Sequence, residues 1–195
     1  MNQITYHTQT SLNLVGHFLV SMPQLENTIF SNTVIFICQH NEQGAMGVVV
    51  NKPALMQLEG LFDRTLVDNA APLYLDHGVH FGGPVSSDHG FVLHSTERPW
   101  ESSLTINSDV ALNTSIDILH SIITGNQCPQ QFLIALGCAS WDSGQLENEL
   151  SMNYWLVCPF VRRLLFTEPL ENRYQLTFDH MGFDQHAMSS FVGHA

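Results

Sequence analysis

His40, Asn41 and Glu42 follow one another in a polar break between two apolar runs. An imidazole, a carboxamide and a carboxylate at one place can hold a polar ligand or pass protons. With Gly44 beside them they can equally build a turn, in which Asn41 and Glu42 satisfy backbone donors and His40 packs alongside. A second stretch, "GCASWDSGQLENEL" over Gly137–Leu150, carries Trp141 in a loop where a strand gives way to a helix bearing Gln145, Glu147 and Glu149; of these Trp141, Gln145 and Glu147 are the site candidates. Such loops often bind ligands, although Asp142 or Ser143 can simply cap the helix. A third is Gly82-Gly83-Pro84. Adjacent glycines let a phosphate or another ligand reach the backbone, and they also mark bulges and strand crossings.

No catalytic set emerges from these residues. Ser140 lacks the G-x-S-x-G context of a nucleophile elbow. Cys138 with His40 as its base is a conceivable nucleophilic pair, but it carries no assignment on its own. His77, His80 and His89, with Asp76 and Asp88, are metal-ligating types. Strand alternation nevertheless sets His77 and His80 on opposite faces, so surface histidines, no metal and no cofactor are expected.

The elements that position these groups can be read around the His40 break. Thr33–Cys38 is β-branched, aromatic and apolar without polar alternation, which suits a strand covered on both faces. Val48–Val50 is a second such run. Asn41–Gly44 is a hairpin-length connection, and Gly44 can take positive φ. Leu55, Leu58, Leu61 and Phe62 recur at helical spacing, predicting a short helix over 54–64. Val79–Val85 and Gly90–Ser95 predict a hairpin turning at Ser86–His89. Ser115 is placed to cap a helix over 116–124 that Gly125 ends. Gln131–Gly137 and Tyr154–Cys158 read as strands, and Leu170–Met181 as a helix stopped by Gly182. A last helical turn is expected around 186–191. Strands outnumber helices without regular alternation, which points to α+β rather than a doubly wound sheet. No linker or repeat divides the chain, so a single domain over 1–195 is expected, with 1–11 a loosely held arm.

Charge narrows the partners. Six Lys and Arg stand against 18 Asp and Glu, for a net charge of −12. Of the basic residues only Arg162 and Arg163 are adjacent, too small a footprint for phosphate backbones, so no direct nucleic-acid binding is expected. Charged residues make up 12% of the chain, about half the ordinary share, which leaves room for a homodimer or another covering partner. No run approaches the ~20 apolar residues of a membrane-spanning helix. The start has no basic n-region and no long apolar core. Cys38, Cys128, Cys138 and Cys158 form no C-x-x-C pair and read as reduced, mostly buried thiols, which points to the cytoplasm.

"GHFLVSMP" at Gly16–Pro23, followed by "HNEQGAMGVVVNKP", "FGGPV", "GFVLH", "GQLENEL" and the terminal "GHA", resembles the AlgH/YqgE family of bacterial proteins. The motifs fall in that family's order from about Gly16 to Ala195. The resemblance implies a mixed, bifurcated β-sheet with a small barrel-like part, flanked by helices, and it brings a proposed role in transcriptional regulation. Where related sequences resemble G-Y-A-G-W, this chain has Cys138 and Ser140, so chemistry resting on either would not be family chemistry.

These readings converge on a non-enzymatic binding or regulatory domain. Its cleft would be formed by His40, Asn41, Glu42 and Gly44, by Gly82 and Gly83, and by Trp141, Gln145 and Glu147, and would hold a small molecule or a protein segment. One alternative is a hydrolase or transferase on a small or phosphorylated substrate, with Glu42 or His40 as base. Another is a transcriptional regulator acting through a protein partner.

Overall fold

The computed structural model describes residues 13–57 and 78–183. Among the described residues ten strands join one sheet: β1 (Phe18–Ser21), β2 (Val34–Asn41), β3 (Gly44–Val49), β4 (Pro53–Gln57), β5 (Gly78–Phe81), β6 (Val85–Ser95), β7 (Leu104–Thr105), β8 (Val110–Asn113), β9 (Phe132–Asp142) and β10 (Trp155–Cys158). Among the described residues four α-helices accompany them: α1 (Ile116–Thr124), α2 (Gln145–Ser151), α3 (Arg162–Phe166) and α4 (Leu170–Met181).

The strand order is β10-β1-β2-β3-β9-β6-β8-β7, with β5 lying parallel to β9 and carrying β4 on its other side. The sheet divides along β9. Its C-terminal half pairs with β3, Ala139 opposite Gly47 and Asp142 opposite Gly44. Its N-terminal half is flanked by β6, antiparallel, and by β5, parallel. The result is the α+β class read from the pattern of strands and helices, with the mixed, bifurcated sheet that the family resemblance implies.

Three apolar clusters follow from strand alternation. Phe18, Val34, Phe36, Val48, Leu133 and their neighbours pack against Leu164, Leu165 and Phe178 of α3 and α4. On the opposite face Leu19, Ile35, Ile37, Ala45, Ala139, Trp141 and Trp155 meet Leu146 of α2. Val79, Val92 and Ile134 pack against Ile118, Ile122 and Ile123 of α1. Buried Arg173 of α4 donates to the Val50 and Glu168 carbonyls, and burial brings its guanidinium down to about 10. No helix among the described residues is long and apolar enough to cross a membrane.

The β2–β3 hairpin forms as its sequence dictates, although β2 runs on through His40 and Asn41, leaving Glu42 and Gln43 as the turn. Gly44 takes φ +135°, where a side chain would run into the Trp141 carbonyl. α1 and α4 end on the left-handed glycines Gly125 and Gly182, as predicted. Ser115 does occupy the N-cap of α1, but its side chain makes no capping bond.

Two expectations fail. The start of the predicted 54–64 helix is strand β4, because its backbone pairs with β5 through Pro53–His80 and Gln57–Gly78, and this ladder overrides the leucine spacing. The predicted 79–95 hairpin does not form either. β5 and β6 both pair with β9, and Ser86–His89 is a bulged part of β6 where its register with β9 shifts, not a turn. The remainder of the 54–64 helix, the 1–11 arm, Asp76, His77 and the turn at 186–191 lie outside the described residues.

Candidate functional site

The end of the sheet formed by β2, β3 and β9 gathers most of the residues singled out above. Across it His40 faces Ala45, and Ala45 faces Trp141, so alternation sends the His40 and Trp141 side chains to one face. α2 covers that face. It starts after Gly144, which holds φ +73° as the N-cap, so neither Asp142 nor Ser143 caps it. Ser143 instead donates its hydroxyl to the Glu42 carbonyl at 2.6 Å, tying the β9–α2 loop to the hairpin turn.

His40 is locked. Its Nδ1 accepts the Leu14 backbone N–H at 3.1 Å, so that nitrogen carries no proton. Its Nε2–H then donates to Glu147 Oε1 at 2.9 Å, and the imidazole is only 3% exposed. With both nitrogens engaged, His40 has no free position from which to accept a substrate proton. Cys138 does not pair with it. The thiol is buried, alternation places it on the other face, and burial pushes its ionisation above the ordinary value.

The residue that organises this face was not among those predicted. Glu149 Oε2 accepts the indole N–H of Trp141 at 2.8 Å and of Trp155 at 2.7 Å. Its Oε1 accepts the Gln145 amide at 2.9 Å. The indoles meet edge to face at 6.0 Å, and Phe30 closes on Trp155 at 5.6 Å. Gln145 turns its own carbonyl to the Asp142 N–H at 3.0 Å. The available signal was the (i, i+4) spacing of Gln145 and Glu149 on a helix facing two tryptophans.

Gln39, Asn41, Gln43 and Met46, together with Gly44, Ala45 and Trp141, line a shallow hollow of about 190 Å³ at this end of the sheet. Gln39 and Met46 are cross-strand partners there. Asn41 Oδ1 holds the Gln43 N–H at 2.8 Å, which leaves the Asn41 NH₂ and the exposed Gln39 and Gln43 amides pointing to solvent. The Glu42 carboxylate makes no hydrogen bond among the described residues and stands in solvent beside the hollow.

Gly82 and Gly83 belong elsewhere. Gly82 bonds to Val49 and Leu136, at the far end of β3 from Gly44. Both glycines are buried, and side chains on them would collide with the Gly137 and Cys138 backbones. They form a strand crossing. Among the described residues no group of three metal-ligating side chains is assembled, and His80 turns Nδ1 to the Ile134 carbonyl at 3.0 Å.

The AlgH-like family model matches residues 18–186. The chain belongs to the AlgH family. Among AlgH-like relatives, a UPF0301 protein of Dechloromonas aromatica is 43% identical over 185 residues, covering 95% of this chain and 99% of that one. A UPF0301 protein of Chromobacterium violaceum is 43% identical over 188 residues, with the same shares covered. The solution structure of the AlgH protein from Pseudomonas aeruginosa superposes with a TM-score of 0.77 at 37% identity, covering 100% of both chains. A Corynebacterium diphtheriae protein superposes at 0.64 over 81% of each chain with 19% identity, which shows the shared fold alone.

Proposed function

We propose that this AlgH-family protein is a binding domain that holds a polar segment of a protein partner across the Gln39–Met46 hollow and makes no bonds there. The observation that carries this reading is the pairing of an engaged His40 with a row of solvent-facing amides. Gln39, Asn41 and Gln43 offer neutral donors and acceptors, and Met46 offers an adaptable apolar contact. At about 190 Å³ the hollow is smaller than the roughly 300–1,000 Å³ of enclosed small-molecule pockets, so it suits side chains of an extended segment rather than a swallowed metabolite. The net charge of −12 favours regulation through such a partner over direct contact with nucleic acid.

A photo-reactive residue placed at Gln43 tests this in cells. A discrete cross-linked adduct is expected from position 43, lost when Gln39→Ala and Asn41→Ala are added, and absent when the probe sits at exposed Gln175 on α4. The same adduct from both positions, or none from position 43, overturns the proposal. Turnover of any substrate abolished by Glu42→Gln would instead establish the enzymatic alternative.

A further inference from the structure

A nucleophile and base sit together away from the turn. His94, 1% exposed, turns Nδ1 to the Ser95 carbonyl oxygen at 3.0 Å. A carbonyl only accepts, so Nδ1 carries the hydrogen. Burial also holds the imidazole below its ordinary value, which keeps it neutral. Nε2 is therefore a bare acceptor, and Ser103 Oγ lies 2.9 Å from it. The Ser103 hydroxyl donates to that nitrogen. Asn113 Nδ2 donates to the same Oγ at 2.9 Å and to the Glu101 carbonyl at 3.0 Å, which fixes the oxygen in place. One Oγ lone pair stays free.

This is the arrangement of an activated serine, with a backbone carbonyl orienting the base where other enzymes use a carboxylate. Its surroundings add two features. The Trp100 ring stands edge-on to His94 at 6.4 Å, and among the described residues its Nε1 is the buried side-chain donor with no acceptor. Unpaired donors in a serine–histidine cluster suit a developing oxyanion. Trp100 also lines a cavity of about 300 Å³ with Arg98, Glu101, Ser102 and Asp117, and Ser103 follows its rim directly in sequence. That volume and polar lining suit a short acyl group, not a long chain.

The geometry points to a second site, independent of the turn-end hollow, in which Ser103 accepts a short acyl group from an activated ester or thioester with His94 as its base. Ser103 Oγ attacks the carbonyl carbon while its proton passes to His94 Nε2. The tetrahedral adduct collapses, breaking the bond to the leaving oxygen or sulfur, which takes that proton. Water then attacks the acyl-serine, giving its proton to Nε2; the second adduct breaks the bond between Ser103 Oγ and the acyl carbon, Oγ takes the proton back from Nε2, and the carboxylic acid is released. Asn113 is a positioning residue.

The test is labelling of the purified full chain with 4-nitrophenyl acetate and with a fluorophosphonate, read by intact mass and peptide mapping. One adduct per chain is expected on Ser103, absent from Ser103→Ala and formed about 100-fold more slowly by His94→Gln. Its rate should climb with pH to a plateau with a midpoint below that of free histidine. Ser103→Ala removes a single hydroxyl from a half-buried residue and keeps the His94 ring, so it serves as the folded control if the His94 variant fails to fold. No adduct on the wild-type chain, an adduct on another residue, or equal labelling of Ser103→Ala overturns the assignment and leaves Ser103 and His94 as a satisfied structural pair.

Discussion

Replacing Glu149 should separate the anchoring of α2 from ordinary surface effects. Its carboxylate accepts from Trp141, Trp155 and Gln145, and the two tryptophans are 6% and 4% exposed. Glu149→Ala leaves two buried indole donors without acceptors, each costing about 1–3 kcal/mol. Glu149 is half-buried, so water recovers part of this, and the expected loss is about 3 kcal/mol. For a chain of this length that is a drop in Tm on the order of 10 °C. Glu149→Gln should cost less, about 1 kcal/mol, because one amide oxygen can still accept both indoles. The cost that stays is local: the new NH₂ would face the Gln145 NH₂, whose carbonyl partner oxygen is already held by Asp142. Urea unfolding followed by tryptophan fluorescence and by far-UV circular dichroism measures both variants. An alanine variant within 1 kcal/mol of wild type, or a glutamine variant as damaged as the alanine one, refutes the three-donor account.

Three further outcomes are expected. Gly83→Ala, at φ +147° against the Cys138 backbone, should abolish soluble protein or cost about 3 kcal/mol or more, whereas Gly144→Ala, at φ +73° with nothing near it, should cost about 1–2 kcal/mol by chemical denaturation. Burial raises the Cys38 and Cys138 thiols and takes Cys158 up to about 11. The fold thus keeps protons that the unfolded chain loses above its ordinary value near 9, and stability should fall as pH rises from about 9 to 11; a flat profile by urea midpoint over that range contradicts the burial. Duplex DNA should show no salt-dependent binding to the isolated chain in fluorescence anisotropy, and tight binding that weakens with salt would overturn the charge argument.

Much of the scaffold is legible in the sequence because it is local. Thr33–Cys38 and Val48–Val50 have no polar alternation, and their strands are indeed covered on both faces. Gly125 and Gly182 stop helices because each takes positive φ just after one. The errors arise where a distant partner decides. The leucine spacing that begins at Leu55 is helical, yet over Pro53–Gln57 β5 supplies a ladder that no local window contains. The 79–95 segment looks like a hairpin until β9, some forty residues later, separates its two arms.

The candidate site divides in the same way. His40 and Glu147 are 107 residues apart and do meet, and Ser143 reaches Glu42. The expectation that three loops share one cleft does not describe the glycine pair, because a Gly-Gly step reads alike whether a ligand or another backbone approaches it. Glu149 lies on the expected helix but is not among the site candidates, because its importance depends on two indoles brought together by non-adjacent strands.

The position of β9 has a consequence for synthesis on the ribosome. This strand divides the sheet and separates β3 from β6, yet it spans residues 132–142 of 195. Until it emerges, the apolar edge of the nascent β2–β3 ribbon has nothing to pair with, and β6 has no neighbour on that side. The first two-thirds of the polypeptide must therefore wait in an adhesive, half-assembled condition. Slowed translation just before residue 132 would prolong that exposure and raise the demand for holding chaperones.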